Sequence, residues 1–223
     1  MSQNLSQLQR ILVVDDHELV LGGTINVLNQ EYPDAEILTA PTAQSAQEQV
    51  ALYQPKLVVM DLSLPEQPGE KARSETGIQL LKSLMAQYPE LNLTVQSSYV
   101  KSLVRIKPSI DAHEGGFTVA DKGLSSQEML TRVSWAMQGL THTKDLKSMQ
   151  SGLEIKPEWL ELLDMAFGEG LQDKEIAKRL CVAERTVRHY WTKIQDVLEV
   201  YPEDGKNIRI QTEKRAREEG LID

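Results

Sequence analysis

Three aspartates carry the chemistry that the sequence makes visible. Ile11-Leu12-Val13-Val14 runs directly into Asp15-Asp16, and Leu57-Val58-Val59-Met60 runs into Asp61. Short, unbroken, β-branched runs of this kind read as strands buried on both faces, as in a parallel sheet. In open parallel sheets, ligands bind outside the carboxyl ends of the strands, where all three carboxylates fall. Carboxylates brought together repel one another and call for a cation. An aspartate after one strand is ordinary. Two such strands, one with a doubled Asp, point to a small acidic Mg²⁺ pocket.

The elements that must position these groups alternate along the first half of the chain. Strand runs fall at 10–15, 36–40, 56–61, 91–96 and 116–120. Between them lie amphipathic stretches. The first spans Glu18 to Gln30, with Leu19, Val20, Gly23, Val27 and Leu28 on one face. Thr42 caps a second helix that reaches Tyr53. Gly77 to Tyr88 forms a third, with Ile78, Leu81, Leu84 and Met85 as its core stripe. Ser125-Ser126-Gln127-Glu128 opens a helix to about Leu140. Five strand–helix alternations predict an α/β, flavodoxin-like domain: a five-stranded parallel sheet, doubly wound, over residues 10–140.

Residues 1–9 read as a polar tail, and 141–156 lapse into a polar linker. Residues 157–223 show no strand signal and predict an all-α domain of about four helices, near 157–168, 172–180, 184–199 and 204–218.

Composition narrows the setting. Of 223 residues, 40% are hydrophobic, which suits a globular protein. Cys181 is the only cysteine, so no internal disulfide forms, and a reducing cytoplasm is expected. No apolar run is long enough to span a membrane, and the polar tail lacks a signal-peptide core. A net charge of −9 argues against nucleic-acid binding by the chain as a whole. Its distribution argues otherwise. Between Leu171 and Lys193 six basic residues face three acidic ones, a local excess of positive charge.

The first half resembles a receiver domain of two-component response regulators. The matching residues are Asp15-Asp16, Asp61 with Pro65 shortly after, Ser97 after the fourth strand and Lys122 after the fifth. The resemblance implies that Asp61 is the phosphoacceptor, taking a phosphoryl group from a sensor histidine kinase. It implies that Asp16, Asp61 and the Ser63 backbone carbonyl ligate Mg²⁺, with Asp15 acting mostly through bound water. Ser97 and Lys122 would contact phosphoryl oxygens. Haloacid-dehalogenase-type phosphatases also use a strand-end Asp, but need a second Asp two residues on. Ser63 and His17 stand there instead, so an enzyme is not expected.

Two stretches depart from the receiver pattern. Residues 66–76 (EQPGEKARSET) form a long polar insertion beside the pocket. From Tyr99 to Gly115 the fourth helix is poor: Pro108 interrupts it, and Val104, Ile106 and Ile110 read as extended, leaving a short helix from Pro108 or Ser109. Val119 occupies the place of the family's switch aromatic, three residues before Lys122, while Phe117 lies five before it, so either a two-residue extension of the strand reaches Lys122 or a different residue is the family's lysine.

The second half resembles LuxR/NarL-type helix-turn-helix domains. Gly170-Leu171, Lys174-Glu175-Ile176-Ala177, Leu180 and Thr186-Val187-Arg188 carry the likeness. Gly170 ends one helix and Asp173 caps the next. A tight turn at Cys181-Val182-Ala183 buries Cys181 as a small packing residue. The second helix buries Val187, Tyr190 or Trp191, Ile194 and Leu198. Ala183 stands where the family places a capping Ser or Thr. An apolar back with a polar front suits a helix entering the major groove. The resemblance places Lys174, Arg185, Arg188, His189, Thr192 and Lys193 at DNA contacts, with the last helix supporting a homodimer.

The reading is a DNA-binding response regulator, switched by phosphorylation of Asp61 and acting at promoter DNA. Two alternatives stay open: a receiver regulator independent of phosphorylation, and a protein-interaction adaptor without DNA binding.

Overall fold

The computed structural model describes residues 9–142 and 155–222. The chain divides into two compact units, Met1–Val100 with Ile106–Asp145, and Lys101–Arg105 with Leu146–Asp223.

The first unit is built on a parallel sheet of strands β1 (Arg10–Val14), β2 (Glu36–Ala40), β3 (Leu57–Met60), β4 (Asn92–Ser97), β5 (Phe117–Asp121) and β6 (Thr141–His142), in the order β2-β1-β3-β4-β5-β6. Ile11 pairs with Leu57 and Val14 with Met60, so the two apolar runs end level with one another. All eight residues of these runs are buried. Ile11, Val13, Leu57 and Val59 pack with α1 (Glu18–Glu31) and α5 (Ser126–Met137). Alternate residues face the opposite layer, which holds α2 (Ala43–Tyr53) and α3 (Ser74–Gln87). Burial on both faces is why the runs are unbroken.

The sheet has six strands rather than five. Phe117 pairs with Thr141 and Thr118 with His142, so the first two residues assigned to the linker form an edge strand. Trp135 of α5 stacks on His142 with ring centroids 4.5 Å apart, which accounts for the extra pairing. Residues 143–154 lie outside the described residues, and so does most of the expected linker.

Helix boundaries follow their caps. Thr42 Oγ1 accepts from the Ser45 N–H, and the Ser45 hydroxyl caps back to Thr42. Ser125 and Glu128 form the same reciprocal box at α5. The inward face of α1 differs from the expected one. Thr24 and Leu28 are buried, with Leu21 and Ile25 packed beside them, whereas Leu19 is 93% exposed. Leu19 lies in the first turn, beyond the end of the sheet it was expected to cover.

The stretch expected to be extended is helical. Val100–Ile106 forms a 3₁₀ segment that leads into α4 (Lys107–Ala112). Pro108 is in the first turn of α4, where its missing N–H costs nothing. The insertion is also more ordered than its composition suggests. Leu64 and Arg73 form an antiparallel bridge with two backbone hydrogen bonds, which closes the loop. The Ala43 and Gln44 amides donate to the carbonyls of Pro65 and Glu66. Its last residues, 74–76, are already the first turn of α3.

The second unit contains α6 (Pro157–Leu163) continued by a wide π turn (Asp164–Gly168), then α7 (Asp173–Arg179), α8 (Glu184–Val197) and α9 (Ile208–Glu218). Trp159, Leu162, Ile176, Val187, Trp191 and Ile194 are central to its core. Gly170 takes a left-handed φ of +72° at the entry to α7. Between α7 and α8 the chain turns through Cys181 at φ +53°. The Cys181 and Val182 amides donate to Lys178 and Ala177, a Schellman arrangement. Cys181 is exposed rather than buried, because a left-handed residue after a helix points its side chain out of the turn.

Candidate functional site

The three aspartates meet because β1 and β3 are neighbours on either side of the point where strand order reverses. The Asp61 amide donates to the Val14 carbonyl at 2.9 Å, so the two strand ends stay in step through the aspartates. Asp15 and Asp61 are each 4% exposed. Asp15, Asp16, His17 and Asp61 each offer a donor atom, and these atoms lie within 4.8 Å of one another.

Each carboxylate is oriented by specific partners. The Leu62 N–H donates to Asp61 Oδ1 at 2.6 Å, and the His17 N–H donates to Asp15 Oδ1 at 2.8 Å. The other oxygens share one cation: Lys122 Nζ donates to Asp61 Oδ2 at 2.7 Å and to Asp15 Oδ2 at 2.8 Å. Burial pulls the Lys122 ammonium down, but hydrogen bonds and charge from Asp15 and Asp61 outweigh it and hold the pKa above its ordinary value. Lys122 is therefore charged and poised over the carboxylates.

Lys122 reaches the pocket because β5 is in register for it. Asp121 pairs with Ser97, and the Lys122 amide donates to the Ser97 carbonyl at 3.4 Å. No extension of the strand is needed. Ser97 is fully buried, and its Oγ accepts from the Tyr99 N–H at 3.2 Å. Among the described residues its hydroxyl hydrogen has no acceptor. Ser63 is half-buried in the turn after Asp61. Phe117 and Val119 are both fully buried, paired with Leu93 and Val95 in the body of the sheet. Phe117 lies four residues before Asp121, about 13 Å along the strand from its pocket end.

Sequence reasoning passed over two supports of this pocket. Gly77 is one: a Cβ there would lie 2.0 Å from the Leu62 carbonyl oxygen, so only glycine lets α3 pass behind the turn that follows Asp61. The signal was a glycine opening a helical pattern, where close approach is a standard reason. His17 is the other. Its Nδ1 stands 2.8 Å from Asp16 Oδ1 and 3.3 Å from Asp15 Oδ1.

The second unit assembles the other set of residues. Val187, Trp191 and Ile194 form the buried back of α8, with Tyr190 only half-buried. Arg185, Arg188, His189 and Thr192 are exposed on its front, with Lys193 beside them, and Lys174 is exposed on α7. Spacing of three and four residues gives them one face. Arg188 Nη2 is paired with Glu184 Oε1 at 2.7 Å, and Lys193 Nζ lies 3.8 Å from Asp196. Ala183 makes no side-chain cap at α8.

Asp173 does not cap α7. Gln172 holds the cap position, and the Asp173 carboxylate is spent elsewhere. It accepts from Trp191 Nε1 at 3.0 Å and from Arg209 Nη2 at 2.9 Å, while the guanidinium stacks 3.5 Å from the indole centroid. This triad ties α7, α8 and α9 together. Trp191 was expected only as a buried alternative to Tyr190 and Arg209 was not singled out, because the link spans 36 residues.

Comparison with known proteins places these features among relatives. Residues 11–134 match the response regulator receiver domain model. The DNA-binding transcriptional activator DevR/DosR of Mycobacterium tuberculosis (strain ATCC 25618 / H37Rv) is 27% identical over 199 residues, covering 83% of this chain and 86% of that protein. The transcriptional regulatory protein DesR of Bacillus subtilis (strain 168) is 28% identical over 217 residues, covering 94% and 97%. Among solved structures, RcsB from Salmonella enterica serovar Typhimurium, bound to promoter rprA with the phosphomimetic BeF3-, aligns with a TM-score of 0.61 at 20% identity, over 93% of this chain and 97% of that one. That likeness is one of fold. Among the described residues no helix is long and apolar enough to cross a membrane.

Proposed function

The chain belongs to the response regulator receiver family, and from that premise we propose that it is a transcription factor controlled by phosphorylation of Asp61. The observation that carries the reading is the convergence of Asp15, Asp61 and Lys122 at the ends of β1, β3 and β5. A carboxylate nucleophile accepts a phosphoryl group as an acyl phosphate. An Asp61 carboxylate oxygen forms the bond to phosphorus as the phosphorus–nitrogen bond of a kinase phosphohistidine breaks. Lys122 then exchanges its contact with Asp61 for a phosphoryl oxygen, and the Ser97 hydroxyl donates to another.

The donor set fits a hard divalent cation: Asp15, Asp16, Asp61 and the Ser63 carbonyl are oxygen donors at one strand-end cleft. Asp16, Asp61 and Ser63 would hold Mg²⁺ directly, with Asp15 acting through water. Mg²⁺ supplies charge neutralisation on the phosphoryl group and the carboxylates.

Residues 157–223 serve as the DNA reader. Arg185, Arg188, His189, Thr192 and Lys193 would meet the major groove or its phosphates, with Lys174 on the backbone. Relatives named as transcriptional regulators, and a solved structure of two RcsB dimers bound to two parallel DNAs, support promoter DNA as the target and a homodimer as the active form. A sensor histidine kinase is the partner that the receiver family implies.

The test is intact-mass analysis after incubation with a small acyl-phosphate donor and Mg²⁺. A single phosphate adduct is expected on the wild type and none on Asp61→Asn. An equal adduct on both overturns the assignment.

One observation favours a second reading. The position three residues before Lys122 is held by Val119, an aliphatic residue buried in the body of the sheet, so the family's aromatic switch has no counterpart there. A receiver whose output does not depend on phosphorylation predicts equal promoter affinity before and after Asp61 is modified.

A further inference from the structure

Helix α8 is clamped to its neighbours at one residue. Trp191 is 3% exposed on the back of the helix. Asp173 of α7 accepts from its Nε1 at 3.0 Å. The Arg209 guanidinium of α9 lies 3.5 Å from the ring centroid and donates to the same carboxylate at 2.9 Å. Phe167, delivered by the π turn after α6, meets the indole edge-on with centroids 5.5 Å apart.

The other contacts of α8 define its rotation less closely. Val187 and Ile194 pack through apolar surface, which has no direction. Ala183 gives α8 no side-chain cap, and α7 also starts without one. The ion pairs of Arg188 and Lys193 stay within α8. Among the described residues, the bond from Trp191 to Asp173 is the one side-chain hydrogen bond that links α8 to another helix.

Arg188 stands three residues before Trp191 and Thr192 one after it, so clamp and exposed front share the same turns of helix. Rotating a helix by about 10° moves a side-chain tip about 5–6 Å from its axis by about 1 Å. A hydrogen bond to a base edge tolerates about 0.5 Å. Attraction to phosphates decays over about 8 Å at physiological salt. Loosening the clamp therefore removes sequence discrimination and spares the non-specific hold on DNA.

We propose that Asp173 and Arg209 are positioning residues for sequence recognition: by clamping Trp191 they fix the rotation of α8 at which its front reads bases, and neither touches DNA. This rests on reading residues 157–223 as a DNA-binding domain. Asp173 supplies direction through its hydrogen bond to the indole. Arg209 holds both that carboxylate and the indole face.

The experiment starts with the full chain, incubated with a small acyl-phosphate donor and Mg²⁺, selecting duplexes from a random-sequence pool. Affinities for the selected duplex and for a random duplex are then measured by fluorescence anisotropy across a salt series. The variants are Asp173→Ala, Arg209→Ala and Arg209→Lys, each held at a temperature where circular dichroism shows it folded. The indole N–H resonance of Trp191, assigned with Trp191→Phe, reports the clamp itself and is expected to move in Asp173→Ala. Each alanine variant is expected to lower the ratio of selected to random affinity about tenfold, with random-duplex affinity kept within about twofold. Arg209→Lys keeps the charge but not the planar fork, and is expected to behave as Arg209→Ala. A ratio unchanged in the alanine variants overturns the positioning role. Where an alanine variant does not fold, Arg209→Lys decides, and a fully retained ratio overturns the role. An equal loss for both duplexes also overturns it, as does a salt slope reduced by about one in Arg209→Ala, the mark of a direct phosphate contact. Wild-type protein that binds random duplex but selects no sequence overturns this inference alone. Wild-type protein that binds neither duplex overturns the DNA-binding reading on which it rests.

Discussion

Lys122 Nζ lies 2.7 Å from Asp61 Oδ2, joining residues 61 apart in sequence at the ends of β3 and β5, the two parallel strands that flank β4. The same ammonium holds Asp15 at 2.8 Å, so one cation balances two nearly buried carboxylates.

Removing the ammonium is therefore costly. Lys122→Met leaves two adjacent carboxylates without their counter-charge and is expected to destabilise the first unit by about 2 kcal/mol. Urea unfolding at neutral pH measures this. Mg²⁺ should restore part of the loss, since it supplies the missing charge. A variant as stable as the wild type in metal-free buffer contradicts the role given to Lys122.

The same pair has a defined pH dependence. The folded pKa of Lys122 is raised above its reference value of 10.5. A raised basic group contributes stability that is fully present below the unfolded pKa and lost as pH rises through the folded pKa. The contribution of Lys122 should be intact at neutral pH and disappear only above about pH 10.5. Stability curves of the wild type and Lys122→Met should therefore converge at strongly alkaline pH. Convergence at pH 6 to 8 instead would show that another group controls the pocket.

Gly77 gives a test away from the charges. A Cβ at this position would meet Leu62 backbone atoms at 2.0 to 2.5 Å, and backbone cannot swing aside as a side chain does. Gly77→Ala is expected to cost about 1–3 kcal/mol through overpacking. It should also slow phosphorylation of Asp61, because Leu62 carries the N–H that orients the Asp61 carboxylate. The check is a thermal melt together with the rate of adduct formation.

On α8, Glu184 pairs with Arg188, a residue proposed to meet DNA. Their exposed pair at 2.7 Å is worth at most about 0.5 kcal/mol to the helix. Glu184→Gln should barely change stability yet tighten duplex binding, since it frees Arg188 and removes a negative charge from the recognition face. Arg188→Ala should weaken binding by about 1–3 kcal/mol if it reads a base, or reduce the salt slope by about one if it meets a phosphate. Fluorescence anisotropy across a salt series distinguishes the two.

Cys181 holds a left-handed conformation that glycine adopts without strain. Cys181→Gly is expected to stabilise the second unit by a few tenths to about 1 kcal/mol, read as a higher melting temperature. Destabilisation would show that the thiol packs in a way its exposure does not reveal.

What the sequence determined by itself was whatever is encoded by short-range pattern. The unbroken apolar runs specified parallel strands, and their ends specified where Asp15, Asp16 and Asp61 would meet. Thr42 and Ser125 marked helix starts because a cap acts within four residues. The apolar back of α8 was legible from its period. Tertiary structure decided the rest. The inward face of α1, the two-residue strand β6, and the diversion of Asp173 from cap to a triad with Trp191 and Arg209 depend on partners many residues away. The same holds for Lys122, whose distance from a misplaced aromatic made its role ambiguous in the sequence. Strand register brings it onto Asp61, because Asp121 pairs with Ser97 and leaves the next side chain above the pocket. Register and burial are sums over contacts between distant segments, and no local pattern contains them.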